Sequence, residues 1–393
     1  MRRIAARAVI LAGAVALSVP VVRGGLATAV VRRDPAAALA FAADARTEIS
    51  AADALMAAGE RVDSPRMRRL VETVLARDVT IPAAIEYRGL QAHAAGDGVS
   101  EARLFRLSNA ISRRSLATRL WFIQSAVDRG DVAGALEHFD LALRTSSAAP
   151  KLLFPVLANA ATDAGLVRPI AAILDRPNDW RVLFLEATIR DGARVDALAD
   201  VLAAMRDRAM ILANGIDRAL ATKLAEQGAF AKAAAVEAHF HPGPHALLRD
   251  PRFADVRAAP PFGWALTNDG QIAAERSRVA GVTALAVHAQ PLAAGQAAAQ
   301  LLLLLPGRYR LATRMAEGLA DTMSPPSWSL ACGEGARQQL AVLPLSAAAG
   351  TTATVDFAVP EGCAGQWLTL QILASDAPEG QVAAIGWISV ARR

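Results

Sequence analysis

Three groups of residues have the types and spacing to do chemistry. The first is His239, His241 and His245 in HFHPGPH, with Asp250 close behind. Imidazoles this dense could ligate a metal. The interleaved prolines make the segment a linker, however, and metal sites need a rigid frame with outer acceptors. They are read as solvated linker histidines, and no metal or cofactor is expected. The second is the cysteine pair, Cys332 and Cys363, the only two in the chain. No CxxC or Cys/His grouping favours redox or zinc chemistry. The third is Trp367 with Gln371, an aromatic platform and an amide of the sort that could hold a sugar, the plainer reading being that Trp367 packs against a loop or the helical domain. The sequence has no nucleophile elbow, phosphate-cradling glycine loop, zincin motif or calcium loop. No catalytic residue is named and no enzyme is expected; an unrecognised polysaccharide-active site with two carboxylates is the alternative.

Composition sets the frame for these groups. Of 393 residues 53% are hydrophobic, 91 being Ala, and 20% are charged, so the chain can bury a sizeable core and is not a disordered polyelectrolyte. The net charge of +5 is local: Arg2, Arg3, Arg7, Arg23, Arg32 and Arg33 all precede the first acidic residue, Asp34. Without those six, 36 basic residues stand against 37 acidic ones. A near-neutral body with alternating charges offers no basic face to displace counterions from phosphates, so no nucleic-acid partner is expected.

The apolar run Ala8–Val22 follows the basic start MRRIAAR, the plan of an export signal. The run is 15 residues, or 19 counted from Ile4 past Arg7. An uncleaved single-pass anchor over 1–33 is the preferred reading, with a cleaved signal and an ordinary buried helix as alternatives. Basic residues on both sides leave the positive-inside rule ambiguous. The cysteines suggest the side: each sits at a strand-like end, and a disulfide there implies an oxidising compartment. Closing that loop of about 31 residues would contribute about 3–4 kcal/mol. Two unrelated buried thiols are the alternative. The expectation is an inner-membrane protein with its body in the periplasm.

Residues 34–245 read as helix after helix. Leu116, Leu120, Ile123 and Val127 recur on one helical face, Gly130-Asp131 breaks the pattern, and Val132, Leu136, Phe139 and Leu143 share the next face. Turn glycines fall at Gly59, Gly96, Gly130, Gly165, Gly192 and Gly228, the first intervals being 37, 34 and 35 residues. Here the segment resembles the tetratricopeptide repeat family, with its 34-residue repeat of paired helices. In GDVAGALEHFDLAL, Gly130, Ala135, Phe139 and Ala142 match the turn glycine and the small-large-small second helix. GAFAKAAAVEAHF repeats part of it with Gly228, Phe230 and Ala233. The first-helix signature is missing: Arg119 stands where an aromatic is usual, and Trp121 is two residues off. The resemblance implies a degenerate solenoid of five or six hairpins that binds partner proteins in a groove or serves as a spacer; a non-repeating helical bundle with chance glycines is the alternative.

Between His241 and Trp264 lie five prolines and no sustained period, which places a linker at 246–261. Over 262–393 the expected strands are Val279–His288, Ala298–Leu305, Tyr309–Arg314, Trp328–Cys332, Gln339–Leu345, Thr352–Val359, Gln366–Leu373 and Ala383–Val390. Short strands with turn signals indicate an antiparallel β-sandwich, jelly-roll-like. The Leu301–Leu305 run reads as buried on both faces. In Gln366–Leu373 the alternation turns Leu368, Leu370 and Ile372 inward and Trp367, Thr369 and Gln371 outward; Trp328 is read as core. PPFGW, PGRYRL, F-x-V-P and GQWLTL make this part similar to galactose-binding-like and carbohydrate-binding-module sandwiches. That resemblance is one of strand pattern and transfers no binding residue.

The fold class expected is therefore multidomain α+β: a transmembrane helix, a helical solenoid and a β-sandwich. The layout resembles accessory proteins of bacterial surface-polysaccharide assembly. It implies an envelope scaffold that binds other envelope proteins, with polysaccharide binding through the sandwich as the alternative.

Overall fold

The computed structural model describes residues 34, 37 and 44–393, apart from 244–245, 320–323, 334–337 and 379. The expected anchor over 1–33 lies outside these residues, as does His245. Among the described residues no helix is long and apolar enough to cross a membrane. Helices precede two antiparallel sheets, so the chain is mixed α+β. It divides into two compact units, 1–153 and 154–393. The break falls within the helical stretch, and the segment 246–261 lies inside the second unit.

The first unit holds α1 (Ala45–Ala57), α2 (Pro65–Arg77), α3 (Pro82–Ala94), α4 (Gly98–Ile111), α5 (Leu116–Asp128) and α6 (Val132–Thr145). Asp44, Ser64, Asp97, Ser115 and Asp131 each cap a helix by accepting the backbone N–H three residues on. The Gly-Asp dipeptides 34 residues apart make one and the same turn. Gly96 and Gly130 adopt φ of 73° and 69°, and the following Asp97 and Asp131 donate to Ala92 and Ala126. This closes a helix with a left-handed residue. Glu60 and Ala229 make the equivalent bond after Gly59 and Gly228. Gly165 does not belong to this set. It sits inside a helix, Ala164–Leu174, where Asp163 accepts its N–H and no left-handed residue is needed.

Packing within the hairpins is close. A Cβ on Gly89 would stand 2.9 Å from the Phe105 ring, so α3 and α4 meet where one side chain is missing. Buried Glu86 accepts from the hydroxyls of Ser108 and Thr118, both at 2.7 Å, which satisfies a charge that would otherwise be costly. In α6 the buried face is Ala135, Phe139, Ala142 and Leu143. Val127 and Val132, expected in the apolar stripes, are 57% and 37% exposed because they flank the Gly130 turn at the tip of the hairpin.

α7 (Ala149–Ala160) carries the break between the units. The second unit continues with α8 (Ala164–Leu174), α9 (Arg181–Asp191), α10 (Val195–Ala204), α11 (Arg208–Ala213), α12 (Ile216–Glu226) and α13 (Phe230–Phe240). The strands follow: β1 (Ala265–Leu266), β2 (Ile272–Val279), β3 (Val282–Ala289), β4 (Gly295–Leu302), β5 (Gly307–Glu317), β6 (Ser327–Cys332), β7 (Gln339–Pro344), β8 (Thr352–Val359), β9 (Gln366–Ile372) and β10 (Gln381–Arg392). One sheet has the order β1-β4-β9-β6-β7 and the other β2-β3-β10-β5-β8. They share one core, in which Trp328, Leu330, Leu368 and Leu370 of the first sheet meet Leu285, Leu311, Ile385 and Ile388 of the second. Two faces sharing a core make a β-sandwich.

Three details differ from expectation. β2 is not among the eight strands expected, and Val279, expected to open a strand, closes it, because the chain reverses at Ala280-Gly281, both with positive φ, before β3 begins. The leucine run is not buried throughout: Leu301 and Leu302 are 2% exposed, but β4 ends there, and Leu303 and Leu305 are 38% and 68% exposed. The proline-rich segment is not bare linker, since Leu248 and Phe253 enter the sandwich core beside Trp264.

Candidate functional site

Alternation along β9 decides which side chains reach the outside of the first sheet. Gln366, Leu368, Leu370 and Ile372 are buried, while Trp367, Thr369 and Gln371 are half-buried on the opposite face. Register extends this face across the sheet. Thr369 stands between Ala299 of β4 and Ser329 of β6, and that row continues to Ala265 on one edge and Val342 on the other. Trp367 lies between Leu301 and Ala331, and Gln371 between Gln296 and Ser327. The small residues of the Thr369 row thus form the floor of a trough. Its sides, the Trp367 and Gln371 rows, are about 13 Å apart at the usual rise per strand residue.

A cleft of about 320 Å³ occupies this trough, lined by Gln296, Ala299, Ser329, Ala331, Cys332, Trp367, Thr369 and Gln371. The structure therefore brings Trp367 and Gln371 to one cavity. Gln371 Nε2 donates to Thr369 Oγ1 at 2.9 Å, which fixes the amide and leaves its carbonyl directed elsewhere. Every lining group is an uncharged amide, hydroxyl, methyl, sulfur or indole.

The disulfide Cys332–Cys363 forms one end of the site. Its Cα atoms are 5.7 Å apart and both residues are buried. Gly333 N–H donates to Gly365 O at 2.9 Å, tying the two chain segments together just beyond the sulfurs. Buried Gln366, which the sequence did not single out, braces the same corner: its Nε2 donates to Cys363 O at 2.9 Å and its Oε1 accepts from Leu304 N–H at 2.8 Å. Phe230 of α13 lies over this corner. A Cβ on Gly333 would stand 2.4 Å from Phe230 Cζ, and one on Gly365 2.6 Å from Phe230 Cγ. Leu301, beside Trp367, borders a small cavity with Ala234 and Glu237 of α13. The helix thus walls the tryptophan side of the face.

The histidine cluster takes a different form from that expected. His241 is not a solvated linker residue. It follows α13 and turns back so that its Nε2 lies 2.6 Å from Oδ2 of Asp217 in α12, a carboxylate only 2% exposed. Asp217 lies 24 residues upstream, and no local pattern marks it as the partner. His239 makes an edge contact with Phe240. Among the described residues, no group of three or more His, Cys, Asp or Glu could hold a metal ion.

No family model matches the chain, and no curated protein matches it. Solved structures show partial likeness over a third of the chain. One is the enzymatically active domain of tailspike protein 4 of bacteriophage CBA120, at 13% identity, covering 33% of this chain and 19% of that one, TM-score 0.25. Another is a family 16 carbohydrate-binding module, at 14% identity, covering 33% and 91%, TM-score 0.24. A third is the CBM22-1–GH10 portion of Clostridium thermocellum xylanase 10B complexed with xylohexaose, at 14% identity, covering 33% and 26%, TM-score 0.23. The likeness thus spans about a fifth of the tailspike chain and a quarter of the xylanase chain. At scores this low, the fold assignment rests on the sheets themselves.

Proposed function

We propose that the β-sandwich binds a glycan on the outer face of its first sheet, with Trp367 as the stacking platform and Gln371, Thr369, Ser329 and Gln296 as the hydrogen-bonding groups. The observation that carries this reading is the convergence of an indole and four neutral polar side chains on one cleft of about 320 Å³. Aromatic faces stack on the C–H-rich faces of sugar rings, and amides and hydroxyls read the surrounding hydroxyls. The protein acts by binding and carries out no bond-making step of its own. The disulfide supports a location outside the cytoplasm, and the apolar run after MRRIAAR supports a tether to the inner membrane, with the body in the periplasm.

Affinity electrophoresis of the full chain in gels containing polysaccharide tests this. Retention of the parent protein that Trp367→Ala abolishes, with unchanged circular dichroism, is the expected result. Mobility unaffected by polysaccharide or by the substitution ends the proposal.

A second reading assigns the helical hairpins to binding envelope proteins, as tetratricopeptide-like repeats would. It is favoured by the shared turn geometry at Gly59, Gly96, Gly130 and Gly228. Pull-downs from envelope extracts that recover the same proteins with and without residues 44–153 would remove it.

A further inference from the structure

The chemistry of the trough restricts the glycan that it can hold. We infer that the ligand is an uncharged polysaccharide chain, met along its length; this rests on the reading of the face given above. All eight lining residues are neutral at every ordinary pH, the cysteine among them being locked in the disulfide. A uronate or phosphate brought onto this face would lose hydration with no cation to replace it, a cost that grows with burial. A sugar hydroxyl has the opposite fit. It donates and accepts at once, as do the amides of Gln296 and Gln371 and the hydroxyl of Ser329. A carboxylate only accepts, and would leave the amide carbonyls facing like lone pairs.

The shape of the face argues for a chain lying on it. The row Ala265, Ala299, Thr369, Ser329, Val342 crosses all five strands. Four inter-strand steps make it about 19 Å long. Its floor carries nothing larger than a valine, so a flat polymer can rest on the sheet. The tryptophan side is walled by α13, through Leu301 and its neighbours, and the glutamine side is bordered by polar groups. The chain would run across the strands, between the Trp367 and Gln371 rows. The ring that stacks on Trp367 would do so from one side only.

Affinity electrophoresis of the full chain distinguishes the outcomes, with hydroxyethylcellulose, galactomannan and dextran as neutral probes and alginate and polygalacturonate as acidic ones. The expected result is retention by at least one neutral polymer, insensitive to salt, abolished by Trp367→Ala, and at least about tenfold stronger than retention by either acidic polymer. Capping the retained polymer's non-reducing ends enzymatically should leave retention unchanged. Equal or stronger retention by the acidic polymers, or retention that end-capping abolishes, overturns this inference while leaving the glycan-binding face in place. Retention by no polymer, or retention that survives Trp367→Ala, overturns both.

Discussion

The ring of Phe230 fills the space where Gly365 has no side chain. A Cβ at that glycine would lie 2.6 Å from the ring, well inside contact distance, and the same ring closes on Gly333. An aromatic on a helix is thereby keyed into the corner of the sheet that the disulfide ties. Phe230 is 1% exposed, so removing it leaves a cavity against the corner. Phe230→Ala should cost about 3–5 kcal/mol in urea unfolding. Gly365→Ala should also destabilise, because the added methyl would overlap a buried ring that must then shift. A Phe230→Ala protein with an unchanged urea midpoint would show that the helix does not depend on this contact.

The disulfide predicts its own chemistry. Thiol titration under denaturing conditions should find no free thiol in protein isolated without reductant and two after reduction. Cys332→Ser with Cys363→Ser should lower stability by about 3–4 kcal/mol for a loop of this length. It should also weaken glycan retention, because Cys332 lines the cleft. Two reactive thiols before reduction would contradict the assignment to an oxidising compartment.

Two glutamines on one strand should separate binding from folding. Gln371 is half-buried in the cleft, so Gln371→Ala should weaken glycan retention by about two- to tenfold, the range of one net hydrogen bond, with stability unchanged. Gln366 faces inward and braces Cys363 and Leu304. Gln366→Ala leaves buried backbone groups without partners and should cost about 1–3 kcal/mol of stability. The reverse pattern would mean that the strand faces are exchanged.

The first unit should weaken as pH falls. His138 is held below the ordinary imidazole value by burial, and further by the Arg119 guanidinium 3.2 Å from its Nδ1. A depressed folded-state pKa means that the unfolded chain takes up the proton first. Stability is therefore full above about pH 6.5 and declines as pH drops through the folded value. His138→Phe keeps an aromatic against Phe122, 4.7 Å away, and should flatten the dependence of the urea midpoint between about pH 7 and 5. An equally steep dependence in the variant would place the titrating group elsewhere.

Local signals carried most of the architecture. The period-two pattern of Gln366–Ile372 sorted its side chains correctly, since one buried face leaves a strand no freedom of register. Trp328 is in the core as its phase with Leu330 required. The repeated Gly-Asp turn was legible for a similar reason: a left-handed residue ending a helix selects glycine. What could not be read depends on distant partners. Asp217 is paired by a histidine 24 residues on. Phe230, read only as part of a repeated helical motif, is claimed by two glycines more than 100 residues away. No periodicity records such a meeting. β1 escaped notice for another reason, having only two residues and no room for alternation.

The mixed origin of the sandwich core has a practical corollary for anyone dissecting the chain. Leu248 and Phe253 are structural members of that core, and α13 seats a ring beside the sulfurs. A fragment begun at residue 262 would start with an open slot in its interior and a bare notch at its tied corner. Domain surgery should cut upstream of residue 230, so that the β-sandwich travels with the helix that finishes it.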